Sequence, residues 1–190
     1  SLFDLLCVDY APRRSDCIFA FAGRPERKRH GIELWHRGFA PTLLLSVGRF
    51  EWRRFPELGL PEDGGLKRMA EEIPPPKRHF FVTVTRQGIS CERVHVGPFG
   101  THSEARALAA YARRAGLRTI LIASTRVHLR RVALTVGRSL RGSGVETAYT
   151  AVPEERSSIR RREWWRAPAT RRLVLLEFLK YLYYWIRLRP

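Results

Sequence analysis

Two apolar runs that stop at small residues and turn straight into basic, helical stretches constrain this fold more than any other feature. The first reads Asp16-Cys17-Ile18-Phe19-Ala20-Phe21-Ala22-Gly23-Arg24, with Arg27 just beyond. The second reads Thr119-Ile120-Leu121-Ile122-Ala123-Ser124-Thr125-Arg126-Val127-His128-Leu129-Arg130-Arg131. Each reads as a buried strand feeding a helix. In an open α/β sheet such turns lie at the carboxyl ends of strands, where ligands bind. Free backbone N–H groups and the helix dipole favour an anion there. The junctions therefore predict an α/β, Rossmann-like three-layer sandwich, with a mostly parallel sheet and helices on both faces. They also predict a crevice suited to a negatively charged ligand.

At 190 residues the chain has room for one domain of this kind, spanning 1–190. An apolar content of 44% and five tryptophans argue for a globular chain and against disorder. The net charge of +17 is uneven: residues 1–100 hold 16 basic against 12 acidic side chains, and residues 101–190 hold 19 against 6. A basic half suits nucleic acid, an anionic membrane surface or a phosphorylated ligand. Compositional bias accounts for it equally well, because 31 of the 35 basic residues are arginine. No helix-turn-helix, RNP or zinc pattern accompanies the charge, so no specific nucleic acid is expected, only weak, salt-sensitive association. Cys7, Cys17 and Cys91 form no CxxC or zinc-ligand spacing, so no metal site is expected, and they fit a reduced compartment best. No stretch reaches the ~20 apolar residues of a membrane span.

Strand patterns fall at 17–22, Thr42–Val47, 79–85, 92–96, 118–123 and 145–152, with Gln87-Gly88 marking a hairpin turn. Helical patterns fall at 25–37, 102–115, 125–140 and 170–188, with a shorter one near 61–72. Pro25 suits a first helical turn and Gly38 a helix end. Residues 49–98 read as an irregular insertion, and 97–100 as a loop. The final helix reads as packing on the core. The alternative is a membrane-surface element, because Arg171, Arg172, Arg187 and Arg189 flank a stretch carrying Tyr181, Tyr183, Tyr184 and Trp185.

Thr101-His102-Ser103-Glu104 fits a capping box, in which Thr101 and Glu104 satisfy each other's backbone N–H groups. The functional reading makes Glu104 a ligand acceptor or general base. Ser124 is placed to cap the helix that follows it. His128 and Arg131, three apart, share a helix face offset from the stripe of Leu129, Val132, Ala133, Val136 and Leu140. They read either as a solvated pair or as the lining of a pocket mouth. On the pocket reading, His128→Ala leaves stability within about 0.5 kcal/mol. Gly23 and Gly48 end the first two strands, where glycine allows close backbone approach. Arg27, one turn into its helix, is placed to hold a phosphate or carboxylate, or else is one more solvated arginine. Neither GxGxxG nor GxxxxGK[ST] is present.

Several of these segments, in order, resemble the bacterial SanA/ElyC/YdcF-like family. They are Asp16 through Gly23 with Arg27; Leu34 through Gly38 to Pro41 and Ser46-Val47-Gly48; Gly100-Thr101-His102-Ser103-Glu104-Ala105; Ala123-Ser124 through His128 to Arg131; and Glu177-Phe178-Leu179-Lys180. The family's first Gly-Gly is Ala22-Gly23 here, its Ser-Gly-Gly is Ser46-Val47-Gly48, and the Asn after its glutamate is Ala105. The resemblance implies a Rossmann-like fold and a role in envelope biogenesis or barrier function. It implies S-adenosylmethionine as a cofactor candidate, since at least one member is associated with binding it. It also implies a bacterial protein, cytoplasmic or inner-membrane-associated, with an N-terminal anchor ahead of Ser1.

The expected site is a crevice lined by Gly23, Arg24, Arg27, Ser46, Gly48, Thr101, Ser124 and Arg131. Glu104 and His128 would be the acid/base pair if chemistry occurs. The expected ligand is a phosphorylated or nucleotide-like small molecule, such as a nucleotide or a lipid-linked phosphate. The alternative is a non-catalytic basic module for nucleic acid or an anionic membrane surface.

Overall fold

The computed structural model describes residues 2–97 and 100–188. Its elements in chain order are α1 (Leu2–Leu6), β1 (Cys17–Ala20), α2 (Pro25–His36), β2 (Thr42–Val47), α3 (Leu66–Glu72), β3 (Phe80–Thr85) and β4 (Gly88–Arg93), then α4 (Gly100–Arg114), β5 (Thr119–Ser124), α5 (Arg126–Ser139), β6 (Glu146–Ala151) and α6 (Pro168–Arg187). Short 3-10 helices at Glu51–Leu58, Pro75–Lys77 and Glu154–Arg156 lie in the connections. The strands form one sheet in the order β4-β3-β2-β1-β5-β6. The four strands β2-β1-β5-β6 run parallel, and β3 and β4 extend the β2 edge as an antiparallel hairpin. The fold is a mixed α/β, Rossmann-like one with a mostly parallel sheet and helices on both faces.

Side chains of a strand alternate between faces, and that alternation divides the core in two. Cys17 and Phe19 of β1, with Ile120 and Ile122 of β5, meet Ala105, Leu108 and Ala112 of α4 and Leu129, Val132 and Val136 of α5. Ile18 and Ala20, with Leu43, Leu45, Leu121 and Ala123, face Ile32 and Leu34 of α2, Phe55, and Leu66 and Ala70 of α3. Gly31 faces the sheet, where a Cβ would stand in ordinary contact with Leu43 at 3.4 Å and Ala20 at 3.5 Å. Gly38 ends that helix in the left-handed region, at φ 76°.

Segment 49–98 is more regular than its composition suggests. Asp63 accepts the backbone N–H groups of Gly65 and Lys67, which starts α3 at Leu66 rather than near 61. The hairpin turn is Arg86-Gln87, so β4 begins at Gly88 and ends at Arg93 instead of spanning 92–96. Helix α4 begins at Gly100, two residues before the expected start. Pro98 and Phe99 of the expected loop, and Arg189, lie outside the described residues.

Helix α1 carries no strong sequence signal. Its Phe3 and Leu6 are buried in a satellite core with Val127, Ile159 and Val174. Helix α6 closes this core with one face only. Val174 and Tyr184 are buried on it, while Leu175, Leu176, Leu179, Tyr183 and Ile186 are exposed. The expectation of a core-packing final helix describes its inner face and not its outer one. Among the described residues no helix is long and apolar enough to cross a membrane.

Candidate functional site

Strand β1 lies between β2 and β5 in the sheet. The chain leaves β1 toward β2 and later returns on the other side through β5, so the strand order reverses here. A crevice opens at the carboxyl ends of strands at such a switch point. Arg27, Ser46, Thr101, Glu104, Ser124, His128 and Arg131 come together at this end of the sheet from five elements, and all seven are buried. The solvated readings of Arg27 and of the His128–Arg131 pair are therefore overturned.

Glu104 is the central acceptor. Its Oε1 receives the Ala22 backbone N–H at 2.9 Å and the Ser46 hydroxyl at 2.6 Å, and faces His79 Nε2 at 3.6 Å. His79 Nε2 also lies 2.7 Å from Ser46 Oγ. The Ser46 proton is committed to the carboxylate, so His79 Nε2 carries its own proton and donates it to the hydroxyl. The result is a relay from imidazole through hydroxyl to carboxylate. Burial pushes the Glu104 carboxyl up, but His79, the Ser46 hydroxyl and the Ala22 N–H outweigh it, so its pKa falls below the ordinary value. The capping box is not formed. With the helix starting at Gly100, Thr101 is helical and cannot act as an N-cap. The Glu104 carboxylate leaves its own helix for β1 and β2.

Ser124 is the last residue of β5, paired with Ala151, so the N-cap position passes to Thr125. Neither residue caps α5 through its side chain. Ser124 Oγ lies 2.9 Å from His128 Nδ1, and Thr125 Oγ1 accepts from Arg27 Nη2 at 3.2 Å. Arg27 also donates from Nη1 to Ala22 O at 2.9 Å. Burial lowers its pKa to about 10, which still leaves it charged at neutral pH. His128 packs edge-on against Phe21, with ring centroids 5.9 Å apart. Burial, then the charges of Arg27, Arg131 and Lys180, holds its pKa well below the ordinary value, so the imidazole is neutral. Glu104 and His128, expected as one acid/base pair, thus belong to two different hydrogen-bonded groups. The imidazole beside Glu104 is that of His79.

Arg131 is a clamp. Its guanidinium donates from Nε and Nη2 to both oxygens of Glu177 on α6, at 2.8–3.1 Å. It also donates to Thr101 Oγ1 and lies over the Tyr184 ring, 5.7 Å from the centroid. Bidentate geometry of this kind orients both partners. At the rim, Arg24 donates to Ser158 Oγ at 2.5 Å, and that hydroxyl donates to Glu26 at 3.1 Å.

The mouth of α2, where the sequence points to an anion, already holds one. Glu51 Oε1 accepts the backbone N–H of Gly23 at 2.6 Å and of Gly48 at 3.3 Å, and its other oxygen pairs with Lys28. Burial lowers the Lys28 pKa against the opposing charge of Glu51. Gly48 leaves this carboxylate its room, since a Cβ there would stand 2.9 Å from Glu51 Oε1.

Open space lies next to this network. A cavity of about 250 Å3 at the carboxyl edge of β2 is lined by Arg49, Pro76, Lys77, Arg78, His79, Arg93, Val94, His95 and Val96. Six of these are cationic or imidazole side chains and none is acidic. His79 links cavity and network, because it lines the first and is hydrogen-bonded into the second. None of these nine residues was singled out as a ligand contact from sequence. The available signal was a cluster of Lys, Arg and His beside three prolines, where the expected strand begins at 79. Comparison with known proteins found no matching family model, no similar curated protein and no similar solved structure.

Proposed function

We propose that the chain binds a phosphorylated small molecule, a nucleotide or a lipid-linked phosphate, at the carboxyl edge of its sheet. Its setting would be bacterial envelope biogenesis, as the SanA/ElyC/YdcF-like resemblance implies, at or near the inner membrane. The observation that carries the reading is the cavity beside β2. Six cationic or imidazole side chains converge there without a carboxylate among them. Such convergence raises the local potential for an anion. His79 anchors part of the lining, because its Nε2 is hydrogen-bonded to Ser46 Oγ and faces Glu104 Oε1. Arginine forks match phosphate oxygens in pairs.

S-adenosylmethionine fits this donor set poorly. Its sulfonium and α-amino groups are cationic, and the cavity lining has no acidic side chain to receive them. Glu104, Glu51 and Glu177, the carboxylates of the neighbouring network, are already engaged.

The test is ligand-induced stabilisation with two probes, ADP and a short-chain polyprenyl phosphate. A ligand at a hundred times its Kd adds about 2.7 kcal/mol, which for a chain of this size raises Tm by roughly 5–10 °C. Arg93→Ala, at an exposed strand end, should leave the unliganded Tm nearly unchanged and weaken binding roughly tenfold or more. A shift with only one probe assigns the ligand class. No shift with either, or shifts indifferent to Arg93, would remove the cavity from consideration.

A further inference from the structure

We infer that the outer face of α6 docks on an anionic lipid surface, with the helix lying in the plane of the interface. Positions 175, 179, 183 and 186 recur at helical spacing, so Leu175, Leu179, Tyr183 and Ile186 form one stripe, widened by Leu176. Leu179 and Ile186 are 58% and 65% exposed. The opposite face, through Val174 and Tyr184, is the one buried on the domain. A contiguous exposed apolar stripe of this kind on a folded chain marks an interaction site.

Charge identifies the occupant. Residues 151–190 hold ten basic against four acidic side chains. Arg171 and Arg172 are exposed at the start of the helix and Arg187 at its end. Arg172 precedes Leu175 and Leu176 by three and four residues, on the same side of the helix. Trp165, 48% exposed, sits just ahead of the helix, and Trp and Tyr favour the membrane–water boundary. An apolar stripe ringed by arginines and aromatics complements anionic headgroups over acyl chains. Twenty helical residues lie along the surface for about 30 Å. Docking uses a surface separate from the residues that line the basic cavity, so each reading can fail without the other.

The experiment is co-sedimentation of the full 190-residue chain with phosphatidylcholine/phosphatidylglycerol vesicles and with phosphatidylcholine alone, alongside size-exclusion chromatography. The intact chain should bind the anionic vesicles and release them as salt rises. Leu175→Glu with Leu179→Glu should abolish binding while the circular-dichroism melt stays cooperative. Arg171→Glu with Arg172→Glu should weaken binding more than fivefold per site, because each arginine near such a surface contributes about fivefold and the reversal adds repulsion. This second pair reads the same surface if the leucine pair fails to fold. Equal binding to both vesicle types overturns the proposal. So does a dimer that the leucine pair dissociates without any vesicle binding by the intact chain, which would assign the stripe to a second copy.

Discussion

Removing the Glu104 carboxylate tests whether the polar network at the strand ends is a structural keystone. Glu104→Ala leaves the Ala22 N–H and the Ser46 hydroxyl without their shared acceptor, and takes away the charge that faces His79, in a site only 6% exposed. A hydrogen bond to a charged group contributes about 1.5–3 kcal/mol. Breaking a buried charged cluster from one side costs about 3–5 kcal/mol, and that figure sets the expected loss. At roughly 2–4 °C per kcal/mol for this length, Tm falls by about 6–20 °C. Urea denaturation and a thermal melt, each on native and variant protein, measure it. Glu104→Gln keeps one acceptor oxygen for Ala22 but exchanges the other for an NH2 donor and loses the charge, so it should fall between. The pH dependence supplies the check. The folded pKa of Glu104 lies below its ordinary 4.5, so its contribution is present above pH 4.5 and is lost as pH falls through the folded value. The gap between native and Glu104→Ala must therefore narrow on acidification below about pH 4.5. A variant melting within about 1 °C of the native chain, or a gap that widens in acid, would refute the argument.

Three further outcomes follow from the same geometry. His128 is 3% exposed, so His128→Ala removes buried ring contacts and strands the Ser124 hydroxyl; urea denaturation should show a loss of roughly 2–4 kcal/mol, not the near-neutral change expected of a pocket-mouth residue. Because the folded pKa of His128 lies well below 6.5, the unfolded chain takes up its proton first, and native stability declines as pH drops below 6.5. His128→Ala should make that decline shallower without abolishing it, since His30 and His102 are shifted in the same direction; an unchanged slope between pH 6.5 and 5 counts against a neutral buried His128. Glu51→Ala leaves the Gly23 and Gly48 N–H groups and buried Lys28 without their anion, so Tm should fall, and added sulfate should restore the variant more than it raises the native protein.

The fold was legible because its signals are local. Cys17–Ala20 and Thr119–Ser124 are short apolar runs flanked by turn residues, and both are buried on two faces. Such runs, too short for a helix and bounded by turn residues, read as inner strands of a covered sheet. Helices α4 and α5 announced themselves through small and aliphatic residues at helical spacing. Segment 49–98 resisted because its order comes from pairing across distance. Ser46 opposes Phe81 and Val47 opposes Phe80 only once the hairpin folds back on β2. Nothing within 49–98 alone encodes that register. Helix α1, five residues long, is too short to show a period and is held by contacts with Val127 and Val174 far along the chain.

The site was legible as a set of residues and not as a set of partners. Each predicted side chain sits where a strand ends or a helix begins, and strand ends converge in this fold whatever the side chains do. Which group meets which depends on shifts of one or two residues in element boundaries. Because β5 includes Ser124, its hydroxyl turns to His128 rather than to the backbone of α5. Because α4 starts at Gly100, Thr101 and Glu104 project from the helix surface, one toward Arg131 and the other toward Ala22 and Ser46. Burial then decides the chemistry. An exposed Thr-x-x-Glu keeps its capping box because water satisfies everything else. A buried carboxylate must answer every unpaired donor around it. Here those donors are Ala22 N–H and the Ser46 hydroxyl, with the His79 imidazole beside them, and together they outbid the helix's own first turn. The same reasoning accounts for Glu51: the free amides of Gly23 and Gly48 call for an anion, and the nearest one lies three residues beyond Gly48 in the chain itself.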